Sequence, residues 1–208
     1  MREVVVVRTG VANLASVMAA LHREDVRVIL SHDRDTVERA GAVILPGVGA
    51  FRAGMEALAA HGLGDVLRAR VEKDRPTLAI CLGLQLLAEE SEESPGTRGL
   101  AIIPGVVRRF PSEVRVPQLG WTRVEVDPPA PGELGLIEPG FAYYANSYRL
   151  LIAPPGWRSA RSVHGGPFIA ALERGRVLAC QFHPELSGAW GRALIARWLT
   201  ASLGSRSP

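Results

Sequence analysis

The chain reads as an α/β fold with a mostly parallel central sheet flanked by helices, and an additional antiparallel or mixed strand region in its second half. Three observations carry this. Short, wholly apolar runs recur up to Ile80. Between them lie segments whose apolar residues fall at helical spacing, the alternation expected of βαβ units. After Leu100 the pattern changes to short apolar pieces separated by Pro- and Gly-rich turns, which suits strands and hairpins.

In order, Val4–Val7 is a β-branched run of the kind found in a central parallel strand buried on both faces. Thr9 to Ala12 turns the chain, and Asn13 is placed to cap a helix carrying Leu14, Val17, Met18 and Leu21. Val26–Leu30 is a second strand, Asp35–Arg39 a short helical piece, and Ala42–Leu45 a third strand that runs into Pro46-Gly47-Val48-Gly49. One helix is expected through Met55 and Leu58, another through Val66, Leu67 and Val71. Leu78–Ile80 is the next strand. The helix after it is expected to stop near Glu90, where the acidic run Glu89, Glu90, Glu92, Glu93 opposes the helix dipole. The second half offers Val106–Phe110, Trp121–Val126, Phe141–Ala145, Ser159–Val163 and Ile169–Leu172 as strands. Val177–Phe182 is a further buried strand, Ala193–Leu199 a closing helix, and Gly204–Pro208 a loose tail.

The length of 208 residues suits one domain, taken as residues 1–208. A formal net charge of +3 leaves no electrostatic footprint for nucleic acid. Lys73 is the single lysine among 24 basic residues, a bias that a GC-rich coding sequence explains. The two cysteines, Cys81 and Cys180, make neither a secreted disulfide framework nor a metal-binding pair. Met1 leads straight into a strand with no signal-peptide pattern, and no apolar stretch is long enough for a membrane span. The expectation is a cytoplasmic protein that binds neither nucleic acid nor membrane.

The chemistry centres on Cys81. It ends an apolar strand and begins Leu82-Gly83-Leu84-Gln85-Leu86-Leu87, which reads as a helix. A thiol on such a turn faces the first free N–H groups of the helix, which favour a thiolate and a developing oxyanion. Far along the chain, His183-Pro184-Glu185 offers a base and its orienter joined by a stiff residue. A cysteine with a distant histidine and carboxylate is the layout of a nucleophilic triad, whose members meet in space and not in sequence. Pro46–Gly49, Cys81 and His183–Glu185 all follow strands, where ligands bind in open α/β sheets. Singly, Cys81 would be a small core residue; the convergence makes it the candidate nucleophile. Cys180 sits inside an apolar run and reads as core packing. His22, His32, His61 and His164 carry no signal.

Cys81-Leu82-Gly83-Leu84-Gln85 together with His183-Pro184-Glu185 resembles the class I (triad) glutamine amidotransferases. The likeness extends through Leu45–Phe51, Cys81–Glu93, Pro117–Trp121 and Tyr144–Tyr148, and so covers essentially the whole chain. Within the family it is closest to the branch whose glutaminases feed a (β/α)8-barrel cyclase subunit in histidine biosynthesis.

The resemblance implies an enzyme that hydrolyses L-glutamine to L-glutamate and ammonia with catalytic Cys81, His183 and Glu185. It implies oxyanion donors at Val48 and Leu82, and substrate contacts at Gly49, Gln85 and Glu93. It also implies a heterodimer interface that includes Asn13, Trp121 and Tyr143, and neither metal nor cofactor. Read in isolation, Gln85 would be a solvated helix residue, Glu93 one surface acid among several, and Trp121 core.

Three departures stand out: Ala79 in place of the family's usual Gly, Ala12 within the turn after the first strand, and Asn146 where a histidine is usual. Another class I glutaminase, a different cysteine hydrolase, or a silent binding subunit are the competing readings. The Pro-Gly-Val-Gly turn, the late His-Pro-Glu and the intact triad weigh against them in turn.

Overall fold

The computed structural model describes residues 2–10, 14–126 and 135–204. The first half lays down β1 (Glu3–Val7), α1 (Leu14–His22), β2 (Arg27–Ser31), α2 (Arg34–Arg39) and β3 (Ala42–Leu45). It continues with α3 (Phe51–Ala60), α4 (Leu63–Glu72), β4 (Thr77–Ile80) and the five-residue α5 (Leu82–Leu86). The second half holds β5 (Ala88–Ser91), β6 (Ile103–Arg109), β7 (Gln118–Val126), β8 (Gly140–Asn146), β9 (Tyr148–Arg149), β10 (Arg158–Val163) and β11 (Pro167–Arg174). It closes with β12 (Val177–Cys180) and α6 (Gly188–Leu203). The predicted N-cap Asn13 and all of the predicted tail beyond Gly204 lie outside the described residues.

Nine strands form one sheet in the order β2-β1-β3-β4-β12-β11-β10-β7-β8, and β5, β6 and β9 form a smaller one. Strands β2, β1, β3, β4 and β12 run parallel, and the remainder of the large sheet is antiparallel. The period-2 alternation of side chains divides the valines of β1 between two cores. Val4 and Val6 pack with α1 and α6 on one face, Val5 and Val7 with the apolar residues of α2, α3, α4 and α5 on the other. Burial on both faces explains why these strands are uniformly apolar in sequence. Ala79 is fully buried in β4, in register with Leu45 and Ala179, so its methyl group fits an extended strand.

One expectation fails. The helix after Cys81 does not reach Glu90: it ends at Leu86, and residues 88–91 form β5, parallel to β6. The reason lies in where the backbone carbonyls bond. Those of Leu86, Leu87, Ala88 and Glu89 accept from the N–H groups of residues 99–103, which takes the acceptors a longer helix would need. The acidic run is therefore spread along and beyond a strand, and three of its four acids meet partners of their own. Glu89 accepts from the Gly105 N–H, Glu92 from Arg108 and the Arg109 N–H, and Glu93 from the Phe51 N–H. The short strands β5 and β9 were not foreseen. The apolar run Val177–Phe182 stops being strand at Cys180, and the closing helix is longer than expected at both ends.

Candidate active site

Strands β3, β4 and β12 are neighbours in the sheet, so the segments leaving their carboxyl ends meet at one edge. Residues 46–49 leave β3, Cys81 leaves β4, and residues 181–185 leave β12. Cys81 is held at φ 53°, ψ −107° between strand and helix, a backbone state that costs a non-glycine residue about 1–3 kcal/mol. Its N–H donates to the Cys180 carbonyl at 2.7 Å, which ties the turn to the adjoining strand. The turn needs Gly83, because a Cβ there would collide with the Leu45 carbonyl oxygen.

His183 Nδ1 lies 2.8 Å from Glu185 Oε1, and both side chains are buried. The chain after His183 winds into a single 3-10 turn, Pro184–Leu186, which carries Glu185. The His183 backbone is pinned as well: its N–H donates to the Tyr143 carbonyl, and its carbonyl accepts from the Ser187 hydroxyl at 2.6 Å. With Nδ1 engaged, the other ring nitrogen is left for the thiol. Burial pushes the imidazole pKa down, but hydrogen bonds and charge from Cys81 and Glu185 outweigh it and bring the pKa up to about 10. The buried imidazole therefore holds its second proton more tightly than a free histidine, with Cys81 on one side and Glu185 on the other.

Cys81, His183, Val48, Gly49, Leu82, Gln85 and Glu93 line one cavity of about 290 Å³, together with residues 145–148. Seven of the residues singled out in sequence therefore meet there. Gln85 is buried and not solvated: its Nε2 donates to the Tyr148 carbonyl at 3.1 Å and to Gln181 Oε1 at 3.0 Å. Glu93 reaches from beyond β5 to accept the Phe51 N–H at 2.7 Å. It thereby caps α3, whose own N-cap residue Ala50 has no side chain to do so. Asn146 donates from Nδ2 to the Tyr148 carbonyl at 2.9 Å, and its Oδ1 is buried without a partner.

The two expected oxyanion donors do not point at one spot. The Leu82 N–H donates to the Gly47 carbonyl at 3.3 Å. In a trans peptide the N–H lies opposite the carbonyl, so the Val48 N–H faces away from Leu82. The Gly47–Val48 peptide thus turns its oxygen, and not its N–H, toward Leu82.

At the rim, Trp121 and Tyr143 face each other across β7 and β8 with ring centroids 6.2 Å apart in an edge-to-face arrangement. Trp121 is 56% exposed, Leu119 56% and Phe141 57%, so an apolar surface stands beside the cavity. Sequence reasoning passed over Gln181, fully buried with its Nε2 3.8 Å from the Cys81 sulfur. The available signal was a lone amide within the apolar run Val177–Phe182, since a buried polar side chain has a reason to be there. It also passed over Ser187, which bridges the Tyr143 N–H and the His183 carbonyl.

A family model described as glutamine amidotransferase class-I matches residues 5–200. Curated relatives called imidazole glycerol phosphate synthase subunit HisH occur in several bacteria. That of Symbiobacterium thermophilum is 38% identical over 95% of this chain and 93% of its own. That of Methylococcus capsulatus is 40% identical over 96% of each chain, and that of Deinococcus radiodurans 41% identical over 94% and 92%. A solved structure of a glutamine amidotransferase superposes with a TM-score of 0.75 at 23% identity, covering 95% of this chain and 98% of the other; it speaks to the fold.

Proposed function

The chain belongs to the class I glutamine amidotransferases, and from that premise we propose that it is the ammonia-producing glutaminase subunit of an imidazole glycerol phosphate synthase in histidine biosynthesis. The observation that carries the chemistry is Cys81, strained on its turn, facing a His183 imidazole that Glu185 orients inside a cavity of amino-acid size. The pathway assignment rests on relatives of that name aligned over nearly the full length of both chains.

The Cys81 thiolate attacks the side-chain amide carbon of glutamine, and the carbonyl oxygen takes the negative charge. The His183 proton passes to the amide nitrogen, the C–N bond breaks, and ammonia leaves a γ-glutamyl thioester on Cys81. Neutral His183 then takes a proton from water, the water oxygen attacks the thioester carbon, and glutamate departs as sulfur recovers its electron pair. Glu185 fixes the ring and balances the imidazolium. Gln85 and Glu93 face the bound amino acid, Glu93 with a carboxylate that suits its ammonium group.

The free chain is held back at the oxyanion step. Rotation of the Gly47–Val48 peptide removes the Gly47 oxygen from Leu82 and turns the Val48 N–H inward, so that two donors converge. That rotation turns on ψ of residue 47 and φ of residue 48, and Gly47, which has no Cβ to meet Leu82, takes up such a change readily. A partner favours the rotated form, and the exposed surface around Trp121, next to the cavity mouth, is where a (β/α)8-barrel cyclase docks and receives the ammonia.

Glutamine hydrolysis is to be measured for the isolated chain, with the cyclase, and with the cyclase and its nucleotide ligand. Low basal hydrolysis that rises on addition of both is the expected result. No hydrolysis under any condition would overturn the enzyme assignment, and full activity of the isolated chain would overturn the gating alone.

A further inference from the structure

Gln181 directly follows β12, with its side chain fully buried and outside the cavity lining. Its backbone N–H is fixed to the Ala170 carbonyl at 2.8 Å, and its amide lies between Gln85 and the Cys81 sulfur. The orientation of that amide follows from the partners. The Tyr148 carbonyl only accepts, so the Gln85 atom facing it is the nitrogen, which has two protons to give. The second goes to Gln181 across 3.0 Å, and the Gln181 atom that receives it is the oxygen. The Gln181 nitrogen is thereby turned to the sulfur. Reversing either amide would set acceptor against acceptor at Tyr148 or donor against donor between the glutamines.

We infer that Gln181 is a catalytic residue in its own right: its side-chain N–H donates to the Cys81 sulfur and holds it as a thiolate, with the Tyr148 carbonyl and Gln85 fixing which end of the amide faces it. The inference rests on the reading of Cys81 as the nucleophile. A buried amide costs more to desolvate than an apolar side chain of equal volume. Here both ends of the amide are engaged, and the relay terminates on the reacting atom. A neutral donor also complements the charged groups around the sulfur. His183 stabilises the thiolate only while protonated, and Glu185 and Glu93 add negative charge nearby. Gln181 keeps its proton through the whole cycle, so it stabilises the sulfur both before attack and as thioester cleavage returns its electron pair.

The test is alkylation of Cys81 by iodoacetamide in the full-length protein as a function of pH, with the adduct located by peptide mass. Wild type is compared with Gln181→Met and Gln181→Leu, which keep the bulk and lose the donor. The midpoint belongs to the coupled Cys81–His183 pair. It is expected to rise by about one pH unit in either variant, as loss of one hydrogen bond to a charged group implies. In the complex with the cyclase, kcat for glutamine is expected to fall about tenfold while KM stays within about twofold, since Gln181 does not touch the cavity. An unchanged midpoint in a folded variant, or a raised KM with unchanged kcat, would make Gln181 a packing residue and overturn the inference. Absence of glutaminase activity in wild type would sink the proposed function, whereas the alkylation midpoint still decides Gln181. Should both variants fail to fold, the unmutated protein answers. The side-chain amide proton resonances of Gln181 are expected to move with the Cys81 titration, and resonances indifferent to it would refute the hydrogen bond.

Discussion

At the scale of single residues, the two cysteines are both buried and differ in setting, so substitution separates them. Cys81→Ser is expected to abolish glutamine-dependent synthesis, whereas added ammonia still supports the partner's reaction because only ammonia supply is lost. Cys180 lies within β12, and burial pushes its thiol pKa well up, so it stays an inert thiol. Cys180→Ser is expected to keep activity and lose stability by about 1–2 kcal/mol, from placing a hydroxyl in an apolar site. Steady-state rates and thermal melts of the two variants check this; the reverse order of activities would exchange the roles.

His183 gives a second prediction. Its pKa is raised in the folded chain from 6.5 to about 10 by Cys81 and Glu185 against the pull of burial. A raised pKa means that the folded state holds the proton more tightly. The resulting stabilisation is complete below about pH 6.5 and disappears as pH rises through about 10. Relative to His183→Asn, wild type is therefore expected to have its largest melting-temperature advantage at the acid end of that window. The advantage shrinks toward pH 10, and shrinks over a narrower range in Cys81→Ala. An advantage growing with pH would contradict the ion pair. In catalysis His183→Asn is expected to be nearly as damaging as loss of the cysteine, and Glu185→Gln less so, because the base moves the proton while the orienter holds the ring.

At the scale of elements, the turn around Gly47–Gly49 and the start of α5 act as one unit. Val48→Pro removes the N–H proposed as second oxyanion donor. It is expected to lower cyclase-stimulated hydrolysis about a hundred- to thousandfold, with unchanged circular dichroism and glutamine binding. Near-normal stimulated rates in a folded Val48→Pro chain exclude that donor. Gly83→Ala drives a methyl into the Leu45 carbonyl and is expected to cost at least about 2 kcal/mol in chemical denaturation.

The parallel strands and the meeting of Cys81, His183 and Glu185 were legible because each rests on a local signal: an apolar run buried on both faces, a turn chemistry, a His-Pro-Glu step. What escaped depends on distant partners. Helix α5 stops because residues 99–103 claim its carbonyls, and no pattern in Leu82–Glu90 carries that information. Glu93 reads as one acid of a charged run until the Phe51 N–H is found beside it. The orientation of the Gly47–Val48 peptide depends on the Leu82 N–H, and Gln181 depends on Gln85 and Cys81, each across a gap that sequence spacing does not measure.

At the scale of the whole molecule, the antiparallel extension of the sheet sets the candidate active site beside an apolar surface. Strands β7 and β8 form the far edge, and their register puts Trp121 against Tyr143 and Arg123 against Phe141. The backbone of Tyr143 does more than present a ring. Its carbonyl accepts the His183 N–H and its N–H donates to Ser187, so the rim strand and the catalytic turn are one hydrogen-bonded body. A partner docked on β8, as proposed, would therefore act on the segment that carries His183. Val48 is 38% exposed, so the peptide proposed to rotate is open at the surface.

A large aromatic side chain left half in water at the centre of such a surface is the usual anchor of an interface. Trp121→Ala is accordingly expected to weaken cyclase binding by about 2 kcal/mol or more, roughly a thirtyfold rise in Kd. The melting temperature of the isolated chain is expected to change far less than the binding, because more than half of the side chain is already exposed there. Titration calorimetry against the cyclase, with thermal melts of the free chain, reads both quantities. A Kd equal to that of wild type would move the docking surface elsewhere. A large drop in melting temperature would return Trp121 to the core.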